Sequence, residues 1–167
     1  KQNIEINPIM IDKKLIFITA DWKIVALNAQ NGKTVWELQS IFAPSRRGIL
    51  AYSSDKKNYL ILPIADKIYK IDVENGKIEK KFGKKGFIKI KTIVAPMIYE
   101  KFLIVVSPNG IVKKFNLQSG EELSQVQVHN KKNFKGGSVW GGVALDEKKG
   151  IVFAVTGNPR PALYGVN

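Results

Sequence analysis

The 167-residue chain contains no cysteine, which excludes disulfides, zinc–thiolate centres and thiol nucleophiles and leaves the redox compartment open. Histidine is nearly as scarce. His129 is the single one, set in a polar connector over residues 129–135, where it reads as an exposed loop residue rather than a general base. Arginine is confined to Arg46, Arg47 and Arg160, so the formal net charge of +13 rests on lysines. Pairs such as Lys13-Lys14, Lys56-Lys57, Lys84-Lys85 and Lys148-Lys149 fall on turns and strand edges, where lysine blocks unwanted edge pairing. A nucleic-acid surface would interleave aromatics with the basic residues on one face. That pattern is missing, and no nucleic-acid partner is expected. No apolar run approaches the roughly 20 residues of a membrane span, so no transmembrane segment is expected either. No signal peptide is visible at Lys1, and a start without Met is what a processed or excised segment would show.

What is present is a 44% hydrophobic content, enough for one domain's core. It is delivered in short runs rich in Ile and Val that are too brief for helices. Residues 4–11, 15–19, 23–27 and 34–38 read as four successive strands, with turn signals at Asp12-Lys13, at Asp21-Trp22 and over residues 28–33.

The third of these strands and its turn recur. Ile24-Val25-Ala26-Leu27-Asn28-Ala29-Gln30-Asn31-Gly32 returns as Ile68-Tyr69-Lys70-Ile71-Asp72-Val73-Glu74-Asn75-Gly76, and again as Val112-Lys113-Lys114-Phe115-Asn116-Leu117-Gln118-Ser119-Gly120. The glycines are spaced by 44 residues. Each copy predicts a strand, a tight turn whose Gly takes positive φ, and an outgoing strand. Asn28, Asp72 and Asn116 are placed to bond the turn's own backbone. A period near 40–45 with four strands per unit is the signature of propeller blades. The expected fold is therefore all-β, a β-propeller whose blades run over about residues 4–42, 48–83, 91–128 and an incomplete 138–167. About three and a half blades are present, whereas an eight-bladed ring needs about 350 residues. The expectation is a partial ring, whether fragment, split gene product or oligomer member, whose remaining blades come from the same or another chain.

Residues 136–164 combine a Trp between small residues, a hairpin turning at residues 146–150, a β-branched run and a Gly157-Asn158-Pro159 corner. A Trp beside glycines is commonly core filling and an Asn before Pro commonly a turn former. Their combination points further, because the two ends of one antiparallel hairpin return Trp140 and Asn158 to the same end of the sheet.

This stretch resembles the pyrroloquinoline quinone (PQQ) dependent dehydrogenases, the quinoproteins. Their Thr/Ser-x-Trp-Gly, hairpin, Gly-Asn-Pro pattern appears here as Ser138-Val139-Trp140-Gly141 and Gly157-Asn158-Pro159. The turn repeat also resembles their blade pattern, Ala-Leu-Asp-Ala-x-x-Gly-Lys-x-x-Trp. Residues 26–36 follow it closely, while Lys80 and Ser124 replace the Trp in the later copies, which implies looser packing at the outer rim there. The resemblance implies that Trp140 stacks under the quinone, that Ser138 bonds it and that Asn158 gives an oxygen to a calcium ion. Glu5, in Ile4-Glu5-Ile6-Asn7-Pro8, is similar to a family Glu that bonds the quinone's polar edge. Arg47, in Ser45-Arg46-Arg47-Gly48, matches an Arg-Gly-x-x-Tyr motif whose guanidinium suits the cofactor's carboxylates. Thr92 stands where a family hydroxyl reaches the cofactor from the third blade.

Two family features are missing. No adjacent cysteines exist to clamp the quinone's other face, and the loop Ser107-Pro108-Asn109-Gly110 lacks the insertion that supplies a calcium-binding Glu, a loss for a cation that favours carboxylates. The catalytic Asp of the family lies beyond the end of this sequence. The implied activity is oxidation of an alcohol or sugar by hydride transfer to the quinone. A quinone or cytochrome would accept the electrons, and the implied location is periplasmic. The alternative is a non-catalytic propeller of the same repeats serving as a protein scaffold, as in outer-membrane assembly lipoproteins, since repeats alone do not separate the two.

Overall fold

The computed structural model describes residues 7–45, 48–55, 57–128, 135–157 and 159–160. All regular structure among them is β. Strands β1 (Ile9–Ile11), β2 (Lys14–Ile18), β3 (Lys23–Asn28) and β4 (Thr34–Gln39) form a first antiparallel sheet in chain order. A second holds β5 (Leu50–Ser54), β6 (Lys57–Ile64), β7 (Lys67–Asp72) and β8 (Ile88–Lys89). The third holds β9 (Met97–Tyr99), β10 (Phe102–Val106), β11 (Ile111–Asn116) and β12 (Glu122–Gln127). Beyond it, β14 (Val139–Asp146) pairs with β15 (Ile151–Thr156), and β13 (Lys135–Gly136) with β16 (Pro159–Arg160). Each four-stranded sheet is a meander, the form of a propeller blade.

The repeated turns close alike. Asn28 Oδ1 accepts from the Gln30 amide at 2.8 Å, Asp72 Oδ1 from Glu74 at 2.8 Å, and Asn116 Oδ1 from Gln118 at 2.9 Å. Gly32, Gly76 and Gly120 end these turns at φ of 70°, 69° and 73°, a conformation that strains any other residue.

Alternation along the central strands sorts the core into layers between sheets. Leu60, Leu62 and Ile64 of β6 face the first sheet, meeting Ile16, Ile18, Ile24 and Trp36. Ile61, from the opposite face of the same strand, meets Leu103, Val105 and Phe115 of the third. Val94, Val106 and Val139 begin a smaller layer towards β14 and β15. Both faces of β6 and β10 are thus covered, which is why they read as apolar runs rather than alternating ones.

Trp36 locks the first sheet to the second. Its indole N–H donates to the Val73 carbonyl at 2.8 Å, and a Cβ on Gly76 would stand 2.7 Å from its ring. Lys14 adds a 2.7 Å ion pair to Glu74, and that hydrogen bond holds its ammonium above the ordinary value.

The second and third sheets solve the same problem without a Trp, and here the looser packing implied by Lys80 is not found. Trp36 pairs across strands with Ala26, and the position 44 residues after Ala26 is Lys70. A small residue beside a large ring is exchanged for a long side chain beside the smaller ring of Phe82. Both are fully buried: Lys70 is 1% exposed and Phe82 0%. The Lys70 ammonium sits 4.2 Å from the Tyr59 ring centroid, with Tyr52 and Phe82 at 5.7 and 5.8 Å. Gly120 packs on this unit as Gly76 packs on Trp36, its absent Cβ 2.7 Å from the Gly83 nitrogen.

Seating Phe82 changes the chain path. Ile24 pairs with Leu38 and Val112 with Val126, 14 residues apart in each case, but Ile68 pairs with Ile88, 20 residues on. The outer strand of the second sheet therefore lies beyond residue 83, where the repeat placed the end of that blade. The six additional residues form an excursion through Gly83 and Gly86, both at positive φ.

Candidate functional site

Trp140 opens β14, 53% exposed. The chain around it is shaped by small residues. Register slips between Val139 and Val143, a bulge in which Gly142 takes φ of 96°. Behind the indole, the Gly157 amide donates to the Ser138 carbonyl at 2.9 Å. A Cβ on Gly157 would stand 2.6 Å from the indole nitrogen, so only glycine lets the ring lie against that backbone. The two ends of the hairpin do meet, and Ser138, Trp140 and Gly157 form one unit.

The other wall comes from the third sheet. Val94, Ala95, Pro96 and Met97 face Trp140, Gly141, Gly142 and Val143 across a groove of about 240 Å³. The second sheet approaches from behind, because a Cβ on Gly48 would fall 2.3 Å from Ala95 Cα. The third and fourth units are also tied by the Val139 amide, which donates to the Pro108 carbonyl at 3.2 Å. The third and fourth units thus face each other across one slot with an indole on one side, and the second sheet backs its other wall. Such a slot can take a flat ring by dispersion and stacking.

Thr92 departs from the role the resemblance gave it. It is 4% exposed, and its hydroxyl lies 2.8 Å from the Val106 carbonyl and 2.9 Å from that of Val94. A hydroxyl has one proton to give, and here it ties the strand leading to the groove wall instead of opening into the groove. Ser138 is exposed beside Trp140. Glu5, Arg47 and Asn158 lie outside the described residues, as does His129. Among the described residues, no group of three or more His, Cys, Asp and Glu side chains could hold a metal ion.

Sequence reading missed the Val94–Met97 wall and the Gly48 to Ala95 contact. A signal was there for the wall, since Ala95-Pro96 joins a small residue to one with no N–H for a sheet ladder. The Gly48 contact depends on two distant segments meeting, and no local pattern announces it.

A family model described as "Glucose/ethanol/alcohol dehydrogenase, beta-propeller domain", of the PQQ type, matches residues 1–116. Among characterised proteins, the quinoprotein glucose dehydrogenase of Escherichia coli (strain K12) is 22% identical over 98% of this chain and 27% of its own length. The outer membrane protein assembly factor BamB of Francisella tularensis (strain SCHU S4) is 24% identical over 93% of this chain and 32% of its own. The chain therefore spans about a third or less of these relatives. The crystal structure of quinohemoprotein alcohol dehydrogenase from Comamonas testosteroni superposes with a TM-score of 0.67 at 13% identity, covering 96% of this chain and 30% of that one. At that identity the likeness is one of fold.

Proposed function

The chain belongs to the PQQ-type β-propeller family of glucose, ethanol and alcohol dehydrogenases, and from that premise we propose that it supplies the quinone-stacking part of a dehydrogenase acting on an alcohol or sugar. The observation that carries this reading is the half-exposed Trp140 indole, backed by Gly157 and facing the Val94–Met97 wall across a slot. An indole with about half its surface exposed is poor core filling and can serve as a plate for a planar ring.

In this reading Trp140 binds one face of the quinone, and Gly141 and Gly142 leave its approach clear. Val94, Pro96 and Met97 exclude water from the ring edge, and the Ser138 hydroxyl bonds a polar atom on the rim. Arg47, next in sequence to the Gly48 that abuts the groove wall, pairs with the cofactor's carboxylates in fork geometry. Glu5 bonds the quinone's polar edge, and Asn158, next after Gly157, gives an oxygen to calcium. PQQ would supply the two-electron acceptor that receives hydride from the substrate carbon. By the resemblance, the carboxylate that takes the substrate proton lies on a blade outside this sequence, as do the remaining blades and the site of the electron acceptor. The family assignment supports a periplasmic setting; among the described residues no helix is long and apolar enough to cross a membrane.

A second reading, a PQQ-repeat scaffold without cofactor, is favoured by the commitment of the Thr92 hydroxyl to backbone. PQQ titration with calcium present, followed by tryptophan fluorescence, separates the two. The dehydrogenase reading expects quenching that disappears in Trp140→Ala while Trp22 and Trp36 remain. Unquenched emission at saturating PQQ would leave the scaffold.

A further inference from the structure

The excursion that seats Phe82 carries a charge distribution that neither the fold nor a quinone site requires. Residues 77–91 contain seven lysines, Lys77, Lys80, Lys81, Lys84, Lys85, Lys89 and Lys91, against one carboxylate, Glu79. That is a local net charge of +6 out of +13 for the whole chain. All seven are exposed. Among the described residues, the salt bridges involve Lys14, Lys23, Lys57 and Lys113, and none of these seven. A solvated face normally mixes both signs, and seven ammonium groups against one carboxylate along a single short segment repel each other.

Beside this loop, at the outer rim between the second and third sheets, lies a groove of about 430 Å³. Phe87 and Phe115 line it, Lys84 and Lys89 stand on one side, and Ser119 and Glu121 on the other. Glu122, also in the lining, is already paired with Lys113 at 2.8 Å. β8, the last strand of its sheet, borders the groove with its outer edge unpaired in the described sheet order. An apolar slot with a cationic margin along its β8 side fits a polypeptide that carries one bulky apolar side chain beside carboxylates on that side.

We propose that this rim is a docking site for an acidic segment of a partner protein, its apolar residue in the groove and its carboxylates against Lys84, Lys85 and Lys89. Charge complementarity selects the acidic partner, and the concave apolar floor selects a side chain over a flat surface. Single-stranded nucleic acid would want exposed rings for stacking, whereas Phe82 is fully buried and Phe87 partly so, with Lys67 lying 4.6 Å from its ring centroid. A membrane surface would leave the groove unfilled. The site lies apart from the Trp140 slot and works whether or not a quinone binds there.

The test uses a fluorescein-labelled peptide of glutamates flanking one phenylalanine, followed by anisotropy at low salt. Neutralising the margin with Lys84→Gln, Lys85→Gln and Lys89→Gln together should weaken binding about tenfold or more. An equal loss of charge elsewhere, with Lys33→Gln, Lys148→Gln and Lys149→Gln, should change it less than about twofold. Filling the groove with Ser119→Tyr should remove the advantage of this peptide over one with serine in place of phenylalanine. No binding to the wild-type chain, equal losses in the two triple variants, or tighter binding to phosphatidylglycerol vesicles or to oligothymidylate than to the peptide would each overturn the proposal.

Discussion

Replacing Lys70 with methionine should stabilise this protein, although it deletes three cation–π contacts. The ammonium stands 4.2 Å from the Tyr59 centroid, a contact of about 2 kcal/mol when desolvated. Its hydrogen bond to the Gln118 carbonyl, at 3.5 Å, is long and weak. Against these stands the cost of taking an ammonium out of water, several kcal/mol even after relaxation, with no carboxylate paired to it. The balance is legible in the ionisation of Lys70, whose ammonium burial holds below its ordinary value, with Glu79 only partly opposing. Methionine keeps the length that fills the place of the missing Trp and sheds the charge. The expected gain at neutral pH is about 1–2 kcal/mol, the lower part of the range for replacing buried ionic groups by apolar ones of similar volume.

The pH dependence gives the sign an independent check. With a folded pKa below the unfolded 10.5, the unfolded chain binds the proton more tightly, so wild-type stability rises as pH climbs through the interval between the two values. Lys70→Met lacks that rise, and its advantage should shrink from pH 7 towards pH 10. Urea unfolding followed by circular dichroism at several pH values measures both effects. Destabilisation by more than about 1 kcal/mol at pH 7, or an advantage that grows with pH, would show that the aromatic cage outweighs desolvation.

Tyr52 behaves in the opposite sense: burial, with Tyr59 adding to it, holds its phenol above the ordinary 10, and among the described residues its buried oxygen has no partner. Stability should fall above pH 10 as the unfolded chain ionises first, and Tyr52→Phe, measured by the same unfolding series, should abolish that fall and cost less than about 1 kcal/mol at pH 7. Trp36→Phe should cost about 2–3 kcal/mol in chemical denaturation, because it strands the buried Val73 carbonyl and thins the contact on Gly76. Gly157→Ala should leave the melting temperature nearly unchanged, since the half-exposed indole can swing away, yet weaken PQQ binding about tenfold or more in a fluorescence titration.

The blade repeat was the most legible part of the fold because it rests on local chemistry. An Asx side chain bonding its own turn and a Gly at positive φ recur at fixed spacing, and nothing distant is needed to form them. The second blade's outer strand was misplaced because the fault is not local. Lys80 occupied the aligned Trp position, but Phe82, two residues on, is the ring the third sheet could pack, and the chain lengthened to put it there. Nothing local marks Lys70 among the other lysines, since its burial depends on Tyr52, Tyr59 and Phe82 closing round it from other parts of the second sheet. At the site, hairpin geometry was read as joining Trp140 to Asn158, which lies outside the described residues; the contact seen is that of Trp140 with Gly157, the residue before it. Thr92 failed the same inference because a hydroxyl near the right place is useful to a ligand only if the backbone has not already claimed it.

Quinone binding here turns on one indole face, and a crystal structure of the protein grown with PQQ and calcium tests it. The tricyclic ring should lie parallel to Trp140 at about 3.5–4 Å, with its edge towards Val94 and Met97. Quinone density at any other place, or a Trp140 face covered by protein while PQQ is absent from the groove, would contradict it.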